Sequence, residues 1–226
     1  LQHYASGFPA VELNNTFYRR PTADAVARWL AATPSDFRFA ARAQRSIAAG
    51  LATGRPADLA WVTDPYRAFG ERLGVMLVSV PAPIQRSDER LADLLDGWPA
   101  DLPLALELGD ASWHVDETFA LLAAHGATLC VTERPEDDEP PFVRRTARSL
   151  YLRLRRHDYE AVEIDAWAAR IAPFLEDGAD VFAFFRHDET GRAPELATML
   201  AETVSRTRRE ATALASAADM TPGHTV

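Results

Sequence analysis

Val11-Glu12-Leu13-Asn14-Asn15-Thr16-Phe17-Tyr18-Arg19-Arg20-Pro21 is the stretch whose reading decides the fold. Ala10, Val11 and Leu13 make a short apolar run that reads as a buried strand, yet Glu12 sits inside it, and two asparagines and two aromatics end it. A purely structural strand has little reason to carry so many polar groups, because each needs a partner once removed from water. The stretch therefore reads as a strand that presents something polar at its end.

Downstream, residues 21 to 33 place Ala25, Val26, Trp29 and Leu30 at helical spacing, with Thr22 or Asp24 as a start and Pro34 as a stop. Strands are predicted over residues 37 to 41 and 75 to 80. Residues 43 to 64, with Gly50, Gly54 and Pro56, read as a long loop that enters a helix over 65 to 73. From there one unit repeats: helices over 87–95, 116–124, 165–175 and 194–209 alternate with strands over 104–108, 128–132, 150–154 and 181–185. Strands alternating with single helices argue a parallel sheet with helical crossovers, and near-continuous apolar strands argue burial on both faces. No Gly-rich loop follows an early strand, so the dinucleotide and phosphate-loop forms of the doubly wound sheet have no support. The fold class expected is α/β, a TIM-type (β/α) barrel with seven strands.

Composition bounds the rest. At 226 residues and 47% hydrophobic the chain can bury one sizeable core. A single domain is expected over residues 1–209, with a frayed tail over 210–226. Residues 133–141 hold five acidic residues and three prolines and read as an exposed loop. The lone Cys130 permits no intrachain disulfide, which fits a reducing, cytoplasmic setting. No apolar run approaches the roughly 20 residues of a membrane span. Twenty-four arginines and no lysine, against 33 acidic residues, leave a net charge of -9. That balance counts against nonspecific attraction to nucleic acid or an anionic membrane, without excluding a local basic pocket. An all-arginine chain can equally reflect genome composition, which tempers each arginine argument.

Tyr4-Ala5 with Phe8, the opening motif from Val11 to Pro21, Trp29, Thr33-Pro34 and Phe37-Arg38-Phe39-Ala40-Ala41 together resemble the start of the DUF72, or YecE-like, family of TIM-barrel proteins. Later pieces agree in order: Leu77 to Pro81, Leu106-Glu107 with Ser112-Trp113, Tyr151-Leu152-Arg153-Leu154 with Tyr159, and the run from Val181 to Phe185 with Asp188, Gly191 and Ala193. The resemblance implies an eight-stranded barrel whose first strand would precede Tyr4 by about one βα unit. On that footing the chain carries the second to the eighth strand, and its opening at Leu1 reads as the end of a helix in a fragment.

Ligands of such barrels bind where the strands end. Glu12 and Asn14 alternate with Val11 and Leu13 and are expected to point inward; Glu107 matches a family carboxylate, and a pair of carboxylates can share proton transfer. Either glutamate could equally be the counter-charge of an arginine such as Arg153. Glu12 and Glu107 are the candidate catalytic residues; Asn14, Tyr18, Arg42, Trp113, Arg153, Arg155 and Arg186 are the candidate substrate-binding residues. Trp113 would wall the pocket or simply pack. Glu133 stands where the family more usually has aspartate.

Several family positions are rewritten. Arg42 replaces a lysine, Gly109 an arginine, Ser79 a glutamine, Arg155-Arg156 a His-Gly pair and Arg186-His187 an asparagine pair. Arginine stays protonated, so lysine-type covalent chemistry is lost at Arg42, while forked guanidiniums favour phosphate or carboxylate. His157 and His187 lie near strand ends, but no compact ligand set predicts a metal, and no cofactor is expected. There is no nucleophile elbow. The function expected is the binding of a phosphorylated or carboxylated small molecule at the barrel mouth, with reaction type open. The alternatives are a nucleic-acid-binding or metal-dependent phosphodiester-cleaving protein, disfavoured by charge and scarce histidines, and a non-catalytic ligand-binding relic.

Overall fold

A computed structural model describes residues 1–186 and 191–219, with side chains through residue 210. Seven parallel strands follow one another in a single sheet ordered β1 to β7: Ala10–Leu13, Arg38–Arg42, Leu73–Val80, Leu104–Leu108, Thr128–Glu133, Ser149–Leu154 and Asp180–Phe185. Helices α1 to α8 span Gln2–Ala5, Ala23–Ala31, Arg45–Thr53, Leu59–Thr63, Asp88–Asp96, Asp116–Ala124, Ala161–Glu176 and Ala193–Asp219. The strand order never reverses, so there is no switch point of the doubly wound kind. The fold class is α/β, a TIM-type barrel with seven strands.

The chain divides into two compact units. The first comprises residues 1–130 and 144–151, the second residues 131–143 and 152–226.

In the first unit, strand alternation separates two sets of side chains. Leu13, Phe39, Ala41, Met76, Val78, Val80, Leu104, Leu106 and Leu108 join Val26, Ile47, Tyr66, Phe69, Leu91 and Leu122 in one hydrophobic core. These are the positions that face the helices. The alternate set runs along the opposite face, because Glu12 pairs with Ala40, Arg42 with Leu77, and Ser79 with Glu107 in register. A register shift between Phe39 and Ala40 lets β2 keep that alternation against β3.

The helices begin and end for local reasons. The Thr22 hydroxyl accepts from the Ala25 N–H at 3.2 Å and caps α2, settling the choice between Thr22 and Asp24. At the other end of α2, Arg72 donates to the Leu30 and Phe37 carbonyls at 3.0 and 3.2 Å. Residues 43–64, expected as a loop, instead hold α3 and α4, followed by a 3-10 segment over Asp64–Arg72. Ile47, Ala48 and Leu51 bury one face of α3, and Gly54, at φ 69°, ends it in the left-handed conformation. Gly50 disguised this helix. It suits a close approach, because a Cβ there would lie 3.1 Å from the Arg55 carbonyl, where the chain folds back.

In the second unit, α7 starts at residue 161 rather than 165, through a capping box in which Glu160 and Glu163 each bond the other's backbone N–H. Ile164, Trp167, Ala168 and Ile171 form its buried face, and Leu196, Leu200 and Thr203 that of α8. Thr203 and Arg206 of α8 both reach Asp165 of α7, at 3.4 and 3.1 Å. The backbone of α8 continues to Asp219, beyond the Arg209 limit read from the sequence.

Candidate functional site

Four strands of the first unit deliver polar groups to one sheet face near their C-terminal ends: Glu12 from β1, Arg42 from β2, Ser79 from β3 and Glu107 from β4. All four are half-buried. From β6, the fully buried Tyr151 donates its hydroxyl to Glu12 Oε2 at 2.6 Å. A carboxylate that accepts so short a bond is held in one orientation.

Arg42 is the most unusual member. Its Nη1 lies 3.5 Å from Asn14 Oδ1 and its Nη2 3.3 Å from Ser79 Oγ, both neutral and both long. The guanidinium covers the Phe17 ring at 4.3 Å, and the buried Nε has no acceptor. Among the described residues no carboxylate stands in ion-pair range of it.

The turn that follows β1 is pinned. The Thr16 hydroxyl sits 2.6 Å from the Leu13 carbonyl and 2.8 Å from the Arg42 carbonyl, tying the ends of β1 and β2 together. Beneath it, burial raises the Tyr66 hydroxyl to about 12, only partly offset by Thr16 and Arg20. The 3-10 turn Asn15–Phe17 then carries Tyr18 outward, 74% exposed.

Gly109 marks where β4 ends. A Cβ there would meet Ala82 N at 2.7 Å, Val80 O at 2.8 Å and Pro81 C at 3.0 Å. The loop after β3 therefore occupies the space into which the arginine expected by family resemblance would have to grow. Trp113 has no exposure. It lies in the helix-facing core, and its indole N–H donates to the Ile84 carbonyl at 2.8 Å, so it packs rather than walls a pocket.

In the second unit, Glu133 at the end of β5 is 2% exposed. Its Oε2 accepts from the Tyr159 hydroxyl at 2.6 Å and from the Trp167 indole at 3.0 Å, while Arg156 Nη1 stands 3.9 Å from Oε1. Burial first, and then the Glu133 carboxylate, push the Tyr159 phenol far up, so it remains a donor. Arg156 also pairs with Glu163 at 2.7 Å. Arg153 is 5% exposed, Arg155 is half-buried with its backbone N–H on the Glu133 carbonyl at 3.0 Å, and the exposed Arg186 lies 3.4 Å from His157 Nδ1. His187, Asp188 and His224 lie outside the described residues.

Among the described residues no three His, Cys, Asp or Glu side chains form a group that could hold a metal ion. No described helix is long and apolar enough to cross a membrane.

The chain matches, over residues 1–221, the family model described as "Protein of unknown function DUF72". It belongs to the DUF72 family. The UPF0759 protein YunF of Bacillus subtilis (strain 168) is 24% identical over 238 residues, spanning 86% of this chain and 83% of YunF. Among solved structures, a DUF72 family protein from Enterococcus faecalis V583 superposes with a TM-score of 0.77 at 20% identity, covering 90% of this chain and 92% of that one. A second, from Thermotoga maritima MSB8, gives 0.68 at 23% identity, covering 88% and 85%. At these identities the likeness to the solved DUF72 structures is one of fold.

The DUF72 motif thus places Glu12, Asn14 and Tyr18 of the expected set in the first unit, with Arg42 and Glu107. Arg42 and Asn14 are brought together; Glu12 is brought to Tyr151. Sequence reasoning passed over Tyr151 and Phe17 as site members and named Ser79 only as a rewritten family position. Alternation in β6 was the available signal for Tyr151, since it stands two residues before Arg153 on the same strand.

Proposed function

We propose that this DUF72 protein binds a small phosphorylated or carboxylated molecule where β1 to β4 end, with Arg42 taking the anion and Glu12 and Glu107 handling protons. The observation that carries the reading is the Arg42 guanidinium, half-buried beside Asn14, Ser79 and Phe17, without a carboxylate in reach among the described residues. A guanidinium withdrawn from water is costly unless it is paired, and an aromatic face and two long neutral contacts offset only part of that cost. An anion supplies the missing charge and can take both Nη donors in a forked pair. Glu12, oriented by Tyr151, is the better placed of the two glutamates for proton transfer. Arg153, Arg155 and Arg186 belong to the other unit, and the reading does not depend on them. A buried Cys130, the one cysteine of the sequence, forms no intrachain disulfide, which suits the reducing cytoplasm as the place of action.

A thermal-shift panel of phosphorylated sugars, nucleotides and organic acids tests this. At one hundred times its dissociation constant a ligand stabilises the folded protein by about 2.7 kcal/mol, which raises the melting temperature of a chain this size by about 5–10 °C. Arg42→Ala is expected to erase the shift. An undiminished shift in that variant sinks the anion site.

A further inference from the structure

We propose that the anion held by Arg42 is carried on a flat aromatic ring, as in a nucleoside monophosphate or an aryl phosphate, and that this ring stacks on Tyr18. The inference rests on the Arg42 reading above and names the class of ligand. Three side chains form a continuous strip: the Arg42 guanidinium lies 4.3 Å from the centre of the Phe17 ring, and the Tyr18 ring meets Phe17 edge-on at 5.1 Å with an interplanar angle of 90°. The charged group and the exposed aromatic ring thus both border Phe17, within reach of one compact molecule that has an anion at one side and a ring at the other.

Tyr18 is 74% exposed, so its ring adds little to the core and has a face to offer. The turn beneath it is anchored by Thr16 on the carbonyls of Leu13 and Arg42, which makes a preset platform with few rotamers to lose on binding. The neighbouring Arg20 does not compete for the anion: it already has Asp64 at 3.6 Å, donates to the Trp61 carbonyl at 2.8 Å and lies over the Trp61 ring at 4.8 Å. A net charge of -9 favours a single small anion over a polyanion.

The test is calorimetric titration of the protein with AMP, phenyl phosphate, ribose phosphate and inorganic phosphate, on the parent and on Tyr18→Ala, Tyr18→Phe and Arg42→Ala. AMP or phenyl phosphate is expected to bind more tightly than either ring-free phosphate; which of the two binds tighter separates a nucleoside from a bare ring. Stacking on one aromatic side chain makes Tyr18→Ala about 5- to 150-fold weaker for the ring-bearing ligands, with Tyr18→Phe near the parent and the ring-free phosphates unaffected. Arg42→Ala should weaken all four. Ring-free phosphates binding as tightly as AMP and phenyl phosphate, or Tyr18→Ala weakening all four alike, overturns the ring while leaving the anion site standing. If none binds, the ring-bearing phosphate is overturned, and the anion site stands or falls on the organic acids of the thermal-shift panel. A single-stranded oligonucleotide binding more tightly than AMP overturns the small-molecule assignment in favour of nucleic acid.

Discussion

Gly109→Ala puts the geometry of the site to a numerical test. The added methyl would sit 2.7 Å from Ala82 N, 2.8 Å from Val80 O and 3.0 Å from Pro81 C, and all three are backbone atoms, so no side chain can swing aside. Either β4 or the loop after β3 has to move. That loop is not free to do so: Gly109 N–H donates to the Val80 carbonyl at 2.9 Å, Ile84 N–H to the Pro81 carbonyl at 3.0 Å, and the buried Trp113 indole to the Ile84 carbonyl at 2.8 Å. Overpacking one methyl into a close-packed site costs about 1–3 kcal/mol, and stretching one backbone hydrogen bond about 0.5–1.5 kcal/mol more. The smaller entropy of an unfolded alanine returns about 0.4–1 kcal/mol. The net expectation is a loss of about 0.5–4 kcal/mol, or a fall in melting temperature of about 1–16 °C for a chain of this length. Thermal and urea unfolding measure it directly, with Gly7→Ala as the control, because a Cβ at Gly7 meets only the Tyr4 carbonyl at 3.9 Å. A Gly109→Ala protein as stable as the parent would refute the close approach, and with it the explanation of why this position cannot hold an arginine.

Two further outcomes are expected away from the anion site. Glu133→Ala strands two buried donors, Tyr159 Oη and Trp167 Nε1, at about 1–3 kcal/mol each, so urea unfolding followed by tryptophan fluorescence should lose about 2–6 kcal/mol; Glu133→Gln, which keeps an acceptor, should lose less, and equal losses would mean that the bonds are not what matters. His125 is held above its ordinary value by the Leu121 carbonyl and by Asp96, so its favourable contribution is complete below the unfolded value of about 6.5 and disappears as pH rises through the elevated folded one. His125→Gln should therefore be less stable than the parent at pH 5 and converge with it above pH 8 or so; a gap that persists at high pH would contradict the linkage.

Much of the fold was legible because its signals are short-ranged. Near-continuous apolar strands and helical spacing around Val26, Trp29 and Leu30 need only neighbouring residues to be read. The region of α3 and α4 resisted for a physical reason: Gly50 and Pro56 are loop signals in sequence, but Gly50 serves a close backbone approach within a helix whose buried face is set by packing. The candidate site was legible by residue type and not by partner. Glu12 stood out because it interrupts an apolar strand, whereas the absence of a carboxylate beside Arg42 among the described residues is a fact about space.

By itself, then, the sequence determined the fold class, the family and the set of strand-end residues from which a site can be drawn, since pattern and motif are properties of the chain read in order. The tertiary structure decided which of those residues meet. Tyr151 finds Glu12 across 139 positions, Gly109 meets the backbone after β3, and Trp113 turns into the core. Such pairings arise only once the chain has folded, because close packing and the need to satisfy buried polar groups act between neighbours in space, whatever their distance along the chain.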